Sequence, residues 1–374
     1  MTILSGPSAH PLFSRCPAMR EQLPHVPLGE FPTPVERHEA LERALGVGEL
    51  WVKRDDRSGE VYGGNKVRKL EILLADALRS GAREIVTFGG AGSNHALATA
   101  IYGQRLGFAV DLFLTPQPTS AHVRRNLLLD AAFGARLHHS EHAADAMRAA
   151  EAHVAEREEV TGIAPYVIPY GGTNTLSVTG MMDAGLELVM QAFQGELPAP
   201  DVVYVAAGSL GTAAGIAIGL AAGESETEVR AVRVTSDSVA SQGALDALIE
   251  ETRDLICAMD TSCSCAIEAT PRARLIEGYY GDGYGTPLPA AEEAVALARG
   301  EGLTLDGTYT GRAFAALMAD AAAGGLADKR VVFWDTFDSH DFGAQIEGLD
   351  SSSVPPEFAR YFEPDAGQDA PLRD

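Results

Sequence analysis

From Glu84 onward this 374-residue chain alternates short apolar runs with amphipathic stretches, and that rhythm restricts the possible folds more than any other feature. Glu84 to Phe88 reads as a strand, Ala96 to Leu106 as a helix, Ala109 to Leu114 as a strand and Ser120 to Phe133 as a helix. Arg136 to His138 and Tyr166 to Ile168 continue as strands, His142 to Val160 and Leu176 to Phe193 as helices. Asp201 to Ala207 and Val229 to Thr235 then read as buried strands flanking a helix from Thr212 to Ala222, and Arg330 to Trp334 as a late strand. Strands joined through helices run parallel, and parallel sheets need cover on both faces. The expected class is α/β, a three-layer αβα arrangement with parallel-rich twisted sheets.

The length exceeds what one hydrophobic core usually serves, so two lobes are expected. Asp and Glu outnumber Lys and Arg by 52 to 29, a formal charge of -23 that repels phosphate backbones and anionic lipid. Neither nucleic acid nor a membrane is an expected partner. The apolar stretch from Ala213 to Ala222 is too short to cross a bilayer, and Met1 to Phe13 lacks the pattern of a signal peptide, so a cytoplasmic location is expected. Cys16, Cys257, Cys263 and Cys265 form no paired C-x-x-C array; they read as reduced thiols, and no metal site is expected. Asp350 to Asp374, rich in Pro, Ser and acidic residues, reads as a loosely held tail.

In parallel sheets ligands sit beyond the carboxyl ends of the strands, where loops enter helices. Three glycine-rich segments occupy such places: Gly63-Gly64-Asn65-Lys66, Gly89 to His95, and Gly208-Ser209-Leu210-Gly211-Thr212. None is a dinucleotide or triphosphate fingerprint. Lysine is scarce, only Lys53, Lys66, Lys69 and Lys329, and three of the four fall in one short segment. Arg serves as well on a solvated face, but only an amine forms an imine with an aldehyde cofactor. Lys66 is expected at a helix start, where the helix dipole and nearby Arg68 and Lys69 disfavour its charged form. The loop from Gly208 to Thr212 leads from a strand into a helix, a place where backbone N-H groups and the Ser209 and Thr212 hydroxyls can hold a phosphate.

The run Val52-Lys53-Arg54-Asp55-Asp56 through Gly63 to Glu71 resembles the cofactor-lysine motif of the aminocyclopropane-carboxylate deaminase and D-cysteine desulfhydrase family. Ser93-Asn94-His95, the Gly208 loop, Gly283-Tyr284-Gly285 and Leu305 to Gly311 follow in that family's order. The resemblance implies a tryptophan-synthase-β-like, fold type II enzyme carrying pyridoxal 5'-phosphate. It implies a large cofactor-binding domain of residues 1-69 and 176-374, a small domain of residues 70-175, and a homodimer. By that similarity Lys66 holds the cofactor and moves protons, Asn94 meets the ring oxygen, and Lys69 with Gly208, Ser209, Leu210, Gly211 and Thr212 holds the phosphate. Ser93, Asn94 and His95 bind the substrate carboxylate, Tyr284 and Tyr309 line the pocket, and a phenol of these or the Ser93 hydroxyl relays protons or attacks beside Cα.

Thr310 and Thr336 place the chain nearer the desulfhydrase branch, where a neutral hydroxyl facing the pyridine nitrogen makes a weaker electron sink than a charged partner. The implied activity is a lyase-type β-elimination from a small β-substituted amino acid, giving pyruvate, ammonia and a thiol or sulfide. Hydrolytic ring opening of 1-aminocyclopropane-1-carboxylate is the alternative within enzymes, and a non-catalytic cofactor-binding protein the alternative outside them. Asp335-Thr336-Phe337-Asp338 departs from the family's His-Thr-Gly-Gly and adds bulk and charge near the expected pocket.

Overall fold

The alternation read from the sequence becomes ten strands in a computed structural model that describes residues 10-263 and 269-363. In chain order these are β1 (Val35–Arg37), β2 (Glu49–Arg54), β3 (Glu84–Gly90), β4 (Ala109–Thr115), β5 (Arg136–His139), β6 (Tyr166–Val167), β7 (Val202–Ala207), β8 (Glu228–Arg233), β9 (Ala273–Ile276) and β10 (Arg330–Asp335). The chain divides into two compact units, one from Met1–Ile72 with Thr173–Ser339, the other from Leu73–Gly172 with His340–Asp374.

The first unit holds a six-stranded sheet in the order β1-β2-β10-β7-β8-β9, parallel except for the antiparallel β1 and β2. Alternation along the strands makes its two cores. Val203 and Val205 of β7 face a cluster with Val178, Met181, Ile216 and Leu220, from the helices Thr175–Phe193 and Gly211–Ala222. Val202 and Tyr204 face the opposite cluster with Phe314 and Leu317 of the helix Thr310–Ala322. Each face is covered by helices, as the parallel pairing requires.

The second unit holds a parallel sheet in the order β5-β4-β3-β6. Val86, Phe88 and Phe113 pack there against Ala146 and Ala150 of the helix Ala143–Thr161.

Two sequence expectations are overturned. The tail is packed as far as it is described: Tyr361 is buried, its hydroxyl accepts the Gln117 N–H at 3.2 Å, and Arg124 Nε donates to the Tyr361 carbonyl. Phe358 is buried beside it, so two aromatics anchor a segment whose composition reads as solvated. Cys16 and Cys263 are joined as a disulfide across 247 residues, a pairing that local spacing cannot reveal. Cys257 is a free thiol, and Cys265 lies outside the described residues.

Candidate active site

Lys66 opens the helix Lys66–Arg79 directly after the Gly63-Gly64-Asn65 turn. The turn demands glycine: a Cβ on Gly63 would collide with the Asp56 carbonyl, and Gly64 adopts φ +87°. Its backbone is fastened by the Gly63 N–H donating to Asp338 Oδ1 at 2.6 Å and the Gly64 N–H donating to the Asp55 carbonyl at 2.6 Å. Asp338, an expected intrusion of charge, is thus a brace for the lysine turn. Burial of the Lys66 amine pushes its pKa down to about 8, with the Asp306 carboxylate opposing. Of the expected causes, the helix dipole, Arg68 and Lys69, Arg68 does not act, because its guanidinium pairs with Asp55 at 2.8 Å and Glu187 at 2.9 Å.

The anion cradle assembles beside it. Lys66 Nζ donates to Asn65 Oδ1 at 3.0 Å, and Asn65 Nδ2 donates to Thr212 Oγ1 at 2.7 Å, which leaves the Thr212 proton for a ligand oxygen. Lys69 Nζ donates to Thr173 Oγ1 at 2.7 Å, and Thr173 pairs with the Ser209 hydroxyl at 2.7 Å. A Cβ on Gly211 would sit 2.8 Å from Thr173 Oγ1 and 2.9 Å from Lys69 Nζ, so glycine keeps this space open. The Gly211 N–H turns back to the Ser209 carbonyl at 2.8 Å, so Gly211 contributes room and not a donor. Leu210 holds φ +65° with its side chain in the core, a strained conformation at the entry to the helix Gly211–Ala222. Burial and neighbouring Lys66 drive the Lys69 pKa well down, a shift that a dianion beside it reverses. Amine, hydroxyls and helix N-terminus together suit a phosphate.

The aromatic wall follows from the same unit. The Tyr284 and Tyr309 hydroxyls are 2.6 Å apart with their rings edge to face, and Lys66 Nζ lies 6.0 Å from the Tyr309 ring centre. Burial raises both phenols, Tyr284 to about 12 and Tyr309 well above its ordinary value. Asp306 organises the segment behind them. Its carboxylate accepts the N–H groups of Thr308 (3.0 Å), Tyr309 (2.9 Å) and Thr310 (2.9 Å). The partly buried Thr336 follows β10, and its carbonyl accepts the Asn65 N–H at 3.4 Å. Phe337 is buried, and Asp335 is buried with its second carboxylate oxygen unpartnered; burial, then the Asp56 charge, raises its pKa well above normal.

In the second unit Ser93 caps the helix Asn94–Arg105, its Oγ accepting the Ala96 N–H at 3.2 Å. The hydroxyl proton is left for an acceptor. Asn94 Oδ1 accepts from Asn126 Nδ2 at 3.1 Å. His95 is buried, with Nε2 2.9 Å from Thr87 Oγ1. Thr87 spends its one proton on the Ile168 carbonyl at 3.0 Å, so His95 Nε2 is the donor of that pair.

Sequence reasoning missed Asn65, Thr173 and Asp306 as site residues. Asn65 and Asp306 stood inside quoted motifs, and Gly172-Thr173-Asn174 repeats the glycine-polar pattern before a helix that marks the other loops.

Residues 26–336 match the family model described as "Pyridoxal-phosphate dependent enzyme". The D-cysteine desulfhydrases of Salmonella typhi and Salmonella choleraesuis (strain SC-B67) are each 37% identical over 317 residues, spanning 83% of this chain and 90% of theirs. A solved structure described as an ACC deaminase homologue superposes with TM-score 0.73 at 30% identity, across 91% of this chain and 99% of its own. Threonine deaminase isoform 2 from Solanum lycopersicum superposes with TM-score 0.58 at 18% identity, across 93% and 91%, a likeness of fold. The α/β, parallel-rich fold type II arrangement expected from the sequence is the observed one.

Proposed function

Because this chain belongs to the pyridoxal-phosphate dependent enzyme family, we propose that it catalyses β-elimination from a small β-substituted amino acid of the D-cysteine type. The products are pyruvate, ammonia and sulfide or a thiol. One observation carries the reading: the Lys66 amine, which burial pushes down from its ordinary pKa, stands at a helix start, 6.0 Å from the ring of a tyrosine paired with a second tyrosine.

Pyridoxal phosphate, when bound, supplies an electron sink for negative charge at Cα. Lys66 would hold it covalently, and its amine, neutral near the working pH, would receive the Cα proton. Lys69, Ser209, Thr212 and the backbone of Gly208 to Leu210 hold the phosphate, in space that Gly211 keeps open. Within the tyrosine pair one hydroxyl donates to the other, which leaves one proton for the departing sulfur. The raised values of Tyr284 and Tyr309 keep both protonated until that transfer. Thr310 is assigned to the pyridine nitrogen and Thr336 to the substrate side. Ser93, Asn94 and His95 are retained for the substrate carboxylate, with a capped helix start in support.

Among the described residues no helix is long and apolar enough to cross a membrane. The working form is assigned as a cytoplasmic homodimer acting on a free amino acid. The test is to supply both enantiomers of cysteine and 1-aminocyclopropane-1-carboxylate to the purified, cofactor-loaded protein. Sulfide and pyruvate from a cysteine enantiomer support the assignment. Release of 2-oxobutanoate alone favours hydrolytic ring opening, and a coloured protein inert to all three is a binding protein without turnover.

A further inference from the structure

The sheet register of the second unit gathers a buried carboxylate and two imidazoles that the proposed reaction does not use. Asp111 on β4 is fully buried, and His138 lies two residues beyond its register partner Arg136 on β5. His153 comes from the covering helix Ala143–Thr161. His138 Nε2 is 2.8 Å from Asp111 Oδ1, and His153 Nε2 is 3.3 Å from Asp111 Oδ2. The donor atoms all lie within 4.8 Å of one another. His153 Nε2 is buried and, despite that proximity, lacks the alignment of a hydrogen bond. Beside them opens a cavity of about 500 Å³ lined by His138, His139, His153, Glu156 and Glu357.

We propose that Asp111, His138 and His153 form a site for a divalent transition ion of the zinc type, with its remaining position open to the cavity. Two imidazoles and a carboxylate are a zinc-type donor set, and bonds of about 2.0–2.1 Å at tetrahedral angles separate donor atoms by roughly 3.4 Å. The present distances, 2.8 Å from His138 to Oδ1 and 3.3 Å from His153 to Oδ2 with all donor atoms within 4.8 Å, bracket that spacing, so small side-chain rotations gather the set. Arg136 forks the same carboxylate, Nε donating to Oδ1 and Nη2 to Oδ2, which still leaves one lone-pair direction on each oxygen. The guanidiniums of Arg136 and Arg157 are balanced by the two carboxylates Glu84 and Asp111, at 2.8 Å from Arg136 to Glu84 and 2.8 Å from Arg157 to Glu84. The ring of His138 is stacked on Phe113 at 4.4 Å, which sets its orientation. Glu156, one turn from His153 and lining the cavity, or a water completes the set. A second cluster, His10, His25 and Glu71, lacks these properties: Glu71 Oε1 is taken by the N–H groups of Leu28 and Gly29, and His10 by Asp183 at 2.7 Å.

The test uses the full chain loaded with pyridoxal phosphate, stripped with a chelator and titrated with Co²⁺ and Zn²⁺. One Co²⁺ per chain, with d–d absorption and a raised Tm, is expected in the wild type. His153→Ala and the milder His138→Gln each weaken binding by more than about ten-fold while the cofactor's visible band reports an intact fold. A wild type that takes up no ion overturns the proposal. So do folded variants that bind as tightly as the wild type.

Discussion

The Thr310 hydroxyl donates to Asp306 Oδ1 at 2.7 Å and accepts the Asp306 N–H at 2.8 Å, so its proton is committed and a single lone pair remains for a ligand. Asp306 also raises the Lys66 amine that burial lowers. Asp306→Ala therefore has two signatures. Stability falls by about 1–3 kcal/mol as three backbone N–H groups lose their acceptor, and the pH midpoint for cofactor capture by Lys66 moves downward. Urea unfolding and stopped-flow absorbance read the two separately; an unmoved midpoint contradicts the coupling.

The wild-type midpoint has its own sign. Only the neutral amine attacks an aldehyde, and a Lys66 pKa of about 8 makes the capture rate of the apoprotein rise with pH through that value and level off above it. A rate still climbing toward the ordinary lysine range contradicts a buried amine.

Removing one phenol at a time tests the tyrosine pair. Tyr309→Phe lowers kcat by about 10²–10⁴-fold if its hydroxyl moves the leaving-group proton, with cofactor binding retained. Either oxygen of the 2.6 Å pair can be the donor, so Tyr284→Phe sorts the roles: the variant with the larger kcat loss lacks the hydroxyl that transfers. Steady-state kinetics with a thiol-leaving substrate check both. An unchanged kcat in both variants contradicts proton transfer through the pair.

Beneath the lysine turn lies a buried ion network in which Arg68 joins Asp55 and Glu187, and Lys53 joins Glu187 at 2.5 Å. Arg68→Ala leaves two carboxylates short of a partner and costs about 3–5 kcal/mol. Burial alone would raise Glu187, but the Arg68 and Lys53 charges hold it at about 2. Because the folded value lies below the ordinary one of 4.5, its contribution is full above that pH and is lost as pH falls toward 2. Denaturation midpoints measured between pH 6 and pH 2 check this, and a variant with an unchanged acid limb contradicts it.

The same network explains what the sequence could not disclose. Strands such as β7 are apolar on both faces and are legible as runs, and the Lys66 helix and the Gly208 loop announce themselves through glycine and periodicity. β2 reads Glu-Leu-Trp-Val-Lys-Arg; Arg54 pairs with Asp56 two residues on, but Lys53 is buried against Glu187, which lies 134 residues away. A long-range partner hides a strand behind charge. Asp111, His138 and His153 are scattered over three elements, and Cys16 meets Cys263 across 247 residues, so neither grouping leaves a local pattern. Thr173 looks like an ordinary residue before a helix cap until Lys69 is seen to donate to it.

Lys66 is the proposed carrier of the cofactor. Reduction of the loaded protein with borohydride, followed by peptide mapping, should place the label on the peptide containing Lys66, and Lys66→Ala should lose both label and visible band. A label on Lys53, Lys69 or Lys329, or no label on the coloured wild type, would contradict it.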